Sequence, residues 1–271
     1  SLASIEQAIE LNGIAVEMNR RSFAWGRKAA ADRSEVEAIA LPEAPAAIKQ
    51  AETLEQMIER RREFLKSYQN DRYARRYLTL VEKILGKEQA VMPGSRALST
   101  AVARYFFKLM AYKDEYEVAR LYTDGSFAKK LADQFEGDFR LKFHLAPPVM
   151  AKRHPETGHL VKREFGPWMM TAFGMLAKLK GLRGTPLDPF GRTAERRAER
   201  ALIGEYEKTL TEIAEKLTRE NHALAVEIAS VPEHIRGYGH VKERHLAAAK
   251  AERQSLLSRF EAGDVDALAA E

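Results

Sequence analysis

The feature that most constrains the fold is the helical spacing of apolar residues, which recur every three or four positions through most of this 271-residue chain. The clearest run lies within residues 193–231 and consists of Ile203, Tyr206, Leu210, Ile213 and Leu217. Such spacing is typical of helices that pack along one face. Because 45% of the residues are hydrophobic, the chain can bury a substantial core. The sequence therefore predicts a mainly α, multi-helix domain.

One segment departs from this period. Phe139, Leu141, Phe143 and Leu145 alternate with charged or polar residues, a pattern that indicates a half-buried strand. Prolines follow directly, and residues 159–165 are predicted to return as a partner strand. The expected fold class is thus mainly α with a small β-hairpin excursion.

Glycine and proline positions suggest the domain boundaries. Residues 1–32 are predicted to form an amphipathic or broken helix that closes a preceding module, and the abrupt start suggests a piece of a longer protein. Residues 33–52, which include two prolines, are predicted to be a linker. Residues 53–262 are expected to form a helical accessory domain, in which Gly86 ends a helix, and residues 263–271 a tail.

The chain has no cysteine, so it offers no disulfide, no thiolate nucleophile and no cysteine-ligated zinc or iron–sulfur cluster. Its net charge of +5 is a mild excess that falls short of a dedicated nucleic-acid binder. No run of about 18 apolar residues is present, which argues against a membrane span. We expect a soluble, cytoplasmic protein without membrane or nucleic-acid partners.

No catalytic, cofactor-binding or metal site is predicted from the residue pattern. The histidine pairs His154/His159 and His240/His245 are five residues apart, whereas zinc ligands on one helical face are four apart. No GxSxG turn or phosphate-binding glycine loop occurs. An enzymatic role for this segment alone is therefore not indicated.

The predicted hairpin is basic, and its cations are candidates for docking an acidic partner. They are Lys152, Arg153, Lys162 and Arg163. Charge complementarity of this kind mainly raises the rate of encounter. The alternative is an ordinary solvated loop.

A second candidate is an anion site where the segment IRGYGHVKERH precedes a helix. Backbone amides at a helix start attract phosphate or carboxylate groups. The residues concerned are Arg236, Tyr238, His240 and Lys242. The alternative is a turn that needs its glycines for their backbone conformation.

Two charge runs, ERRRE at 59–63 and ERRAER at 195–200, admit two interpretations. They resemble nucleic-acid patches, but acids alternate with arginines at helical spacing, which favours ion pairs within a solvated helix. Nucleic-acid binding stays a distant alternative.

Several segments resemble a known family. The stretch AIELNGIAVEMNRRSFAWGR, residues 8–27, resembles the closing helix of the gamma-type module of 2-oxoacid:ferredoxin oxidoreductases. Later segments resemble the carboxy-terminal domain of fused indolepyruvate ferredoxin oxidoreductase-like proteins; they are LYTDGSF, FEGDFRLKFHLAPP, KREFGPWM, LKGLRGTPLDPFGRTAERR and IRGYGHVKERHLAAA. The similarity covers essentially the whole chain.

The resemblance implies a parent enzyme that converts an aryl 2-oxoacid to its acyl-CoA by oxidative decarboxylation, with thiamine diphosphate, magnesium and iron–sulfur clusters. Its partners would be the upstream catalytic modules, a second copy of the parent and ferredoxin. The cluster-ligating cysteines and the GDG-type motif are absent here, so no catalytic residue transfers. The expected role is a non-catalytic structural or assembly domain. The alternative is a docking module for ferredoxin or CoA phosphates.

Deleting Ser1 to Asp32 should leave the remaining residues folded, because the boundary assigns those residues to a different module. Circular dichroism and thermal unfolding of the shortened chain would check this. Global unfolding would contradict the boundary.

Overall fold

The structure, a computed structural model, describes residues 1–40, 52–137, 139–145, 161–237 and 239–263. The chain divides into two compact units, Ser1–Glu52 and Thr53–Glu271. Among the described residues there are twelve α-helices and one two-stranded antiparallel sheet. The predicted fold class, mainly α with a small β-hairpin, is confirmed.

The first unit contains helices α1 (Leu2–Asn12), α2 (Val16–Ala31) and α3 (Arg33–Ala40). Of the two alternatives for its start, the broken helix is correct. Gly13 adopts φ 67°, in the left-handed region that glycine enters at little cost, and this separates α1 from α2. An ion pair of 2.7 Å between Arg20 and Glu10 spans the break.

Helix α3 lies within the predicted linker, since its eight residues fall within 33–52. Asp32 starts the helix, because one of its carboxylate oxygens accepts hydrogen bonds from the Ser34 hydroxyl and the Glu35 amide. Arg33 pairs with Glu37 one turn later. The two prolines of the predicted linker lie outside the described residues.

The second unit begins with α4 (Leu54–Tyr68), α5 (Asp71–Val91) and α6 (Ala97–Met110). Thr53 and Gln56 form a reciprocal capping box at the start of α4. The prediction that Gly86 ends a helix is wrong, because α5 continues to Val91. A glycine within a helix costs only about 1 kcal/mol relative to alanine. The hydrogen bonds of buried Glu88, two residues after Gly86, offset this cost.

Next come α7 (Glu115–Thr123), α8 (Ser126–Gln134), β1 (Phe143–Leu145), β2 (Arg163–Phe165) and α9 (Met169–Lys178). In the hairpin Phe143 pairs with Phe165, His144 with Glu164 and Leu145 with Arg163.

The hairpin is shorter than predicted, since neither Phe139 nor Leu141 lies in a strand. In this register the residues before Phe143 would face Gly166 and Pro167. Proline cannot donate to a ladder, and α9 begins directly afterwards. The ladder therefore stops at Phe143.

The chain ends with a 3₁₀ turn (Leu179–Leu182), α10 (Ala194–Lys216), α11 (His222–Ser230), a second 3₁₀ turn (Val231–His234) and α12 (Gly239–Ala262). The predicted interruption near Asn221 is confirmed. The Asn221 side chain accepts from the Thr218 amide and donates to the Lys216 carbonyl, which closes the end of α10.

The main hydrophobic core lies between α4, α5, α6, α10 and α11. Aromatic rings join these helices: Phe106 of α6 stacks on Tyr77 of α5 and on Tyr206 of α10, with centroids 6.1 and 5.8 Å apart. A smaller cluster, centred on Ala119, Phe143 and Phe173, joins α7, the hairpin and α9. The smaller cluster packs the hairpin against α7 and α9.

The carboxylate of Glu88, near the end of α5, is buried beside the main core. One oxygen accepts from the Leu98 amide (2.9 Å) and contacts His222 Nε2 (2.8 Å), and the other accepts from the Ser99 amide (2.8 Å). Burial raises the pKa of Glu88, but these hydrogen bonds outweigh it and lower the pKa below its ordinary value. Glu88 thereby fixes the start of α6 and the start of α11 against α5.

Replacing Glu88 with Gln should lower the free energy of unfolding by about 3 kcal/mol, because one carboxylate oxygen becomes an NH₂ group that faces other donors. Since the folded pKa of Glu88 is lowered, its contribution is present above the ordinary Glu pKa and is lost as pH falls through the folded pKa. Urea unfolding of the variant and of wild type at neutral pH and near pH 3 measures both effects. The matched control is Glu82→Gln on the exposed side of α5; an equal loss in both variants would contradict this role.

Candidate functional site

Residues of the segment LKGLRGTPLDPFGRTAERR meet the starts of α7 and α12 in one place. We call this group the polar cluster; its members are Asp114, Glu115, Tyr116, Arg183, Asp188, Arg196, Glu199, Arg200 and Lys242. The segment forms the 3₁₀ turn after α9, a tight loop, and the first turns of α10. The cluster is the largest concentration of buried charge among the described residues.

Arg183 is buried at the centre of the cluster. Its Nε and Nη2 donate to the two oxygens of Asp114 at 2.5 and 2.9 Å, and its Nη1 donates to the Tyr68 carbonyl at 2.6 Å. The guanidinium also lies 3.6 Å from the centroid of the Tyr68 ring. Asp114 is at the same time the N-cap of α7, where it accepts from the Glu117 amide. Arg183 therefore joins the loop to the ends of α4 and α7.

Asp188 organises the loop itself. Its carboxylate accepts from the amides of Gly184 (2.8 Å) and Phe190 (3.0 Å) and from the hydroxyl of Tyr116 (3.2 Å). Burial raises the pKa of Asp188, but the amides of Gly184, Gly191 and Phe190 and the Tyr116 hydroxyl outweigh it and lower the pKa. The residue is thus an ionised carboxylate whose acceptor positions are used inside the fold.

Gly191 closes the loop where no side chain fits. A Cβ at this position would lie 2.4 Å from Asp188 Oδ2, and the Gly191 carbonyl accepts from Arg200 Nη2 at 2.6 Å. The sequence DPFGR is therefore a turn in which the glycine allows close approach of the aspartate.

A row of ion pairs continues the cluster towards α12. Arg196 lies 3.3 Å from Glu115 and 2.7 Å from Glu199, and Glu199 accepts from Lys242 at 2.5 Å. Burial lowers the pKa of Arg196, but the two carboxylates outweigh it and raise the pKa. This row connects α7, α10 and α12.

The chemistry of the cluster is that of a structural ion network. The pKa of Asp188 is lowered and that of Arg196 is raised, so both remain charged at neutral pH. Burial first, and then Asp188, raise the pKa of Tyr116, while burial and Asp114 raise that of Tyr112 to about 12. A general acid or base works best with a pKa near the operating pH, and none of these four groups has one.

The predicted anion site is only partly described. Arg236 donates to the Glu233 carbonyl and lies 3.3 Å from the Glu233 carboxylate, whereas Lys242 is directed to Glu199. Tyr238 and the side chain of His240 lie outside the described residues. The two described cations are thus directed to different carboxylates, and anion binding here stays a prediction.

The predicted docking hairpin is described for two of its four cations. Lys162 and Arg163 are exposed, while Lys152 and Arg153 lie outside the described residues. Next to them Glu164 pairs with Lys142 at 2.9 Å and lies 3.9 Å from His144. Docking through this hairpin stays a prediction.

The charge runs form ion pairs within their helices. Arg62 lies 2.6 Å from Glu59 and 2.7 Å from Glu63, and Arg196 pairs with Glu199. Arg61 differs, since its Nη1 donates to the Ala103 carbonyl of α6 at 2.5 Å.

Sequence reasoning missed the central residues of the cluster. Asp114 carried a usable signal as an N-cap before a helical run, and Asp188 carried one as the aspartate of a turn. Arg183, in a loop, and Glu88, in a helix, carried none, because arginine and glutamate are ordinarily exposed.

The fold and the cluster define a helical domain braced by internal charge. A family model, described as a family of unknown function (DUF6537), matches residues 54–255, and the chain belongs to that family. No curated protein and no solved structure matches the chain. Within the described part of the chain, no helix is long and apolar enough to cross a membrane, and no group of three metal-ligating side chains is found.

Gly191→Ala should destabilise the second unit by about 2 kcal/mol, because the added methyl group displaces Asp188 from the Gly184 amide. Thermal unfolding followed by circular dichroism measures the change. Gly204→Ala in α10 is the control, since a Cβ there meets nothing within 4 Å and should stabilise the helix slightly. A Gly191 variant as stable as the Gly204 variant would show that the loop tolerates displacement of Asp188.

Proposed function

We propose that this chain is a non-catalytic structural domain that supports assembly of a thiamine diphosphate-dependent 2-oxoacid:ferredoxin oxidoreductase-like enzyme in the cytoplasm. The association with such an enzyme rests on the sequence resemblance described above. The structural part of the proposal rests on one observation: Arg183, Asp188 and Arg196, which lie in a segment that carries the resemblance, are directed into the fold.

The hydrogen bonds of the polar cluster support a bracing role. Arg183 uses three of its nitrogens on Asp114 and Tyr68. Asp188 accepts from two amides of its own loop and from the Tyr116 hydroxyl of α7. A catalytic side chain must leave at least one group available to a substrate. Residues used in this way hold helices in position.

The cofactors of the proposed parent enzyme would be bound elsewhere. An iron–sulfur cluster is held chiefly by cysteine thiolates, and this chain contains no cysteine. Magnesium is commonly held by carboxylates, whereas the buried carboxylates Glu88, Asp114 and Asp188 are engaged by internal donors. The residues described here do not fit these groups, and we derive no reaction step from them.

The proposal predicts that the sequence occurs within a longer polypeptide that contains the catalytic modules. Mass spectrometry of peptides from the native protein, after separation by size, should place residues 54–255 in a chain much larger than 30.6 kDa. The same fraction should oxidise arylpyruvates with coenzyme A and an electron acceptor.

Two variants of that native enzyme separate bracing from catalysis. Arg183→Met should lower the yield of assembled enzyme because it leaves Asp114 buried without its partner, and the assembled fraction should keep its turnover rate. Arg192→Met, at an exposed position of the same loop, should change neither. Normal assembly with lost turnover in Arg183→Met, or arylpyruvate turnover by the isolated 271 residues, would refute the proposal.

A further inference from the structure

Among the residues that the structure describes, one face of α6 carries more positive than negative charge. We call it the α6 basic face and define it by Arg61, Arg104, Lys108 and Arg236. Arg104 and Lys108 are exposed and four residues apart, so their side chains lie about 5–6 Å apart at the level of Cβ. Arg61 reaches this face from α4, and Arg236 reaches it from the segment after α11.

Backbone carbonyls rather than carboxylates hold two of these cations. Lys108 Nζ donates to the carbonyls of Pro232 (2.8 Å) and Glu233 (3.0 Å). Arg61 donates to the Ala103 carbonyl and lies 4.9 Å from the Phe107 ring centroid. A carbonyl fixes the position of a cation but leaves its net charge uncompensated. The charges are therefore positioned before any partner arrives.

One carboxylate, that of Glu233, pairs with this face. It accepts from the Tyr105 hydroxyl at 2.5 Å and lies 3.3 Å from Arg236. Four cations and one acid give the face a formal charge of +3, of the chain's total of +5.

Neighbouring cations contribute to two pKa shifts whose main cause is burial. Burial, and after it the charge of Arg236, lower the pKa of Lys108, although Glu233 opposes this. Burial also lowers the pKa of Arg61, with a further contribution from neighbouring arginines that include Arg104. Acidic groups brought to this face would oppose the contributions of the neighbouring cations to both pKa values.

We propose that the α6 basic face is a docking surface for an acidic helical segment of a protein partner, with carboxylates four residues apart that pair with Arg104 and Lys108. We choose a helix because carboxylates four residues apart on a partner helix have the same one-turn spacing as Arg104 and Lys108. Glu233 already pairs with Arg236 and would repel any negative group placed beside it, so the partner's carboxylates are assigned to Arg104 and Lys108. The mild net charge of +5 favours a protein over a nucleic acid as the partner. The proposal concerns a surface distinct from the polar cluster and does not depend on the proposed function.

The test uses the full 271-residue chain and a fluorescein-labelled, alanine-rich helical peptide with glutamate pairs four residues apart. Fluorescence anisotropy at low salt should show binding that weakens steeply as salt is added. Arg104→Glu/Lys108→Glu should weaken binding by at least about tenfold. The control Arg72→Glu/Lys87→Glu makes the same change in net charge at exposed positions of α5 and should alter binding by less than about threefold.

Several results would overturn the proposal. They are equal weakening in the two double variants, equal binding of a peptide with glutamine in place of glutamate, and no binding at low salt. Tighter binding of a DNA duplex that depends on Arg104 would assign the face to nucleic acid instead. Should Lys108→Glu unfold the chain, Arg104→Gln against Arg72→Gln keeps the comparison, because both arginines are exposed.

Discussion

The arrangement of the second unit depends on the buried ion pair between Arg183 and Asp114. Isolated, either charge would be costly to bury, but the pair is bidentate and the remaining guanidinium nitrogen donates to the Tyr68 carbonyl. Because Asp114 also caps α7, the contact fixes a helix start as well as a loop. Geometry of this kind specifies one arrangement among many that hydrophobic burial alone would allow.

A second buried charge, that of Glu88, also fixes the positions of helices. The Glu88 carboxylate accepts hydrogen bonds from backbone amides at the start of α6, where the helix dipole favours a negative group. It also contacts His222 at the start of α11. Two of the three helices it joins thus begin at positions set by one carboxylate. The aromatic and aliphatic residues around it supply the favourable free energy of burial, and Glu88 fixes the register in which they pack.

The distribution of charge bears on what the domain does. The cations and acids of the polar cluster are directed inward, whereas Lys108 and Arg61 of the α6 basic face are held near the surface by carbonyls. The first arrangement suits a brace and the second suits a surface that meets a partner. The two are compatible, because a domain that supports an assembly needs both a rigid interior and an outward contact.

The sequence by itself determined the helical class, the place of the hairpin, the break near Asn221 and the pairing of Arg62 within its helix. These are local properties, set by residue spacing, capping and turn chemistry over a few positions. Tertiary structure alone decided the passage of α5 through Gly86, the short ladder that stops at Phe143, and the burial of Glu88. Arg183 and Asp114 are 69 residues apart, and Glu88 and His222 are 134 apart. No local pattern encodes such contacts, because their stability arises only when distant helices exclude water from the charges that they share.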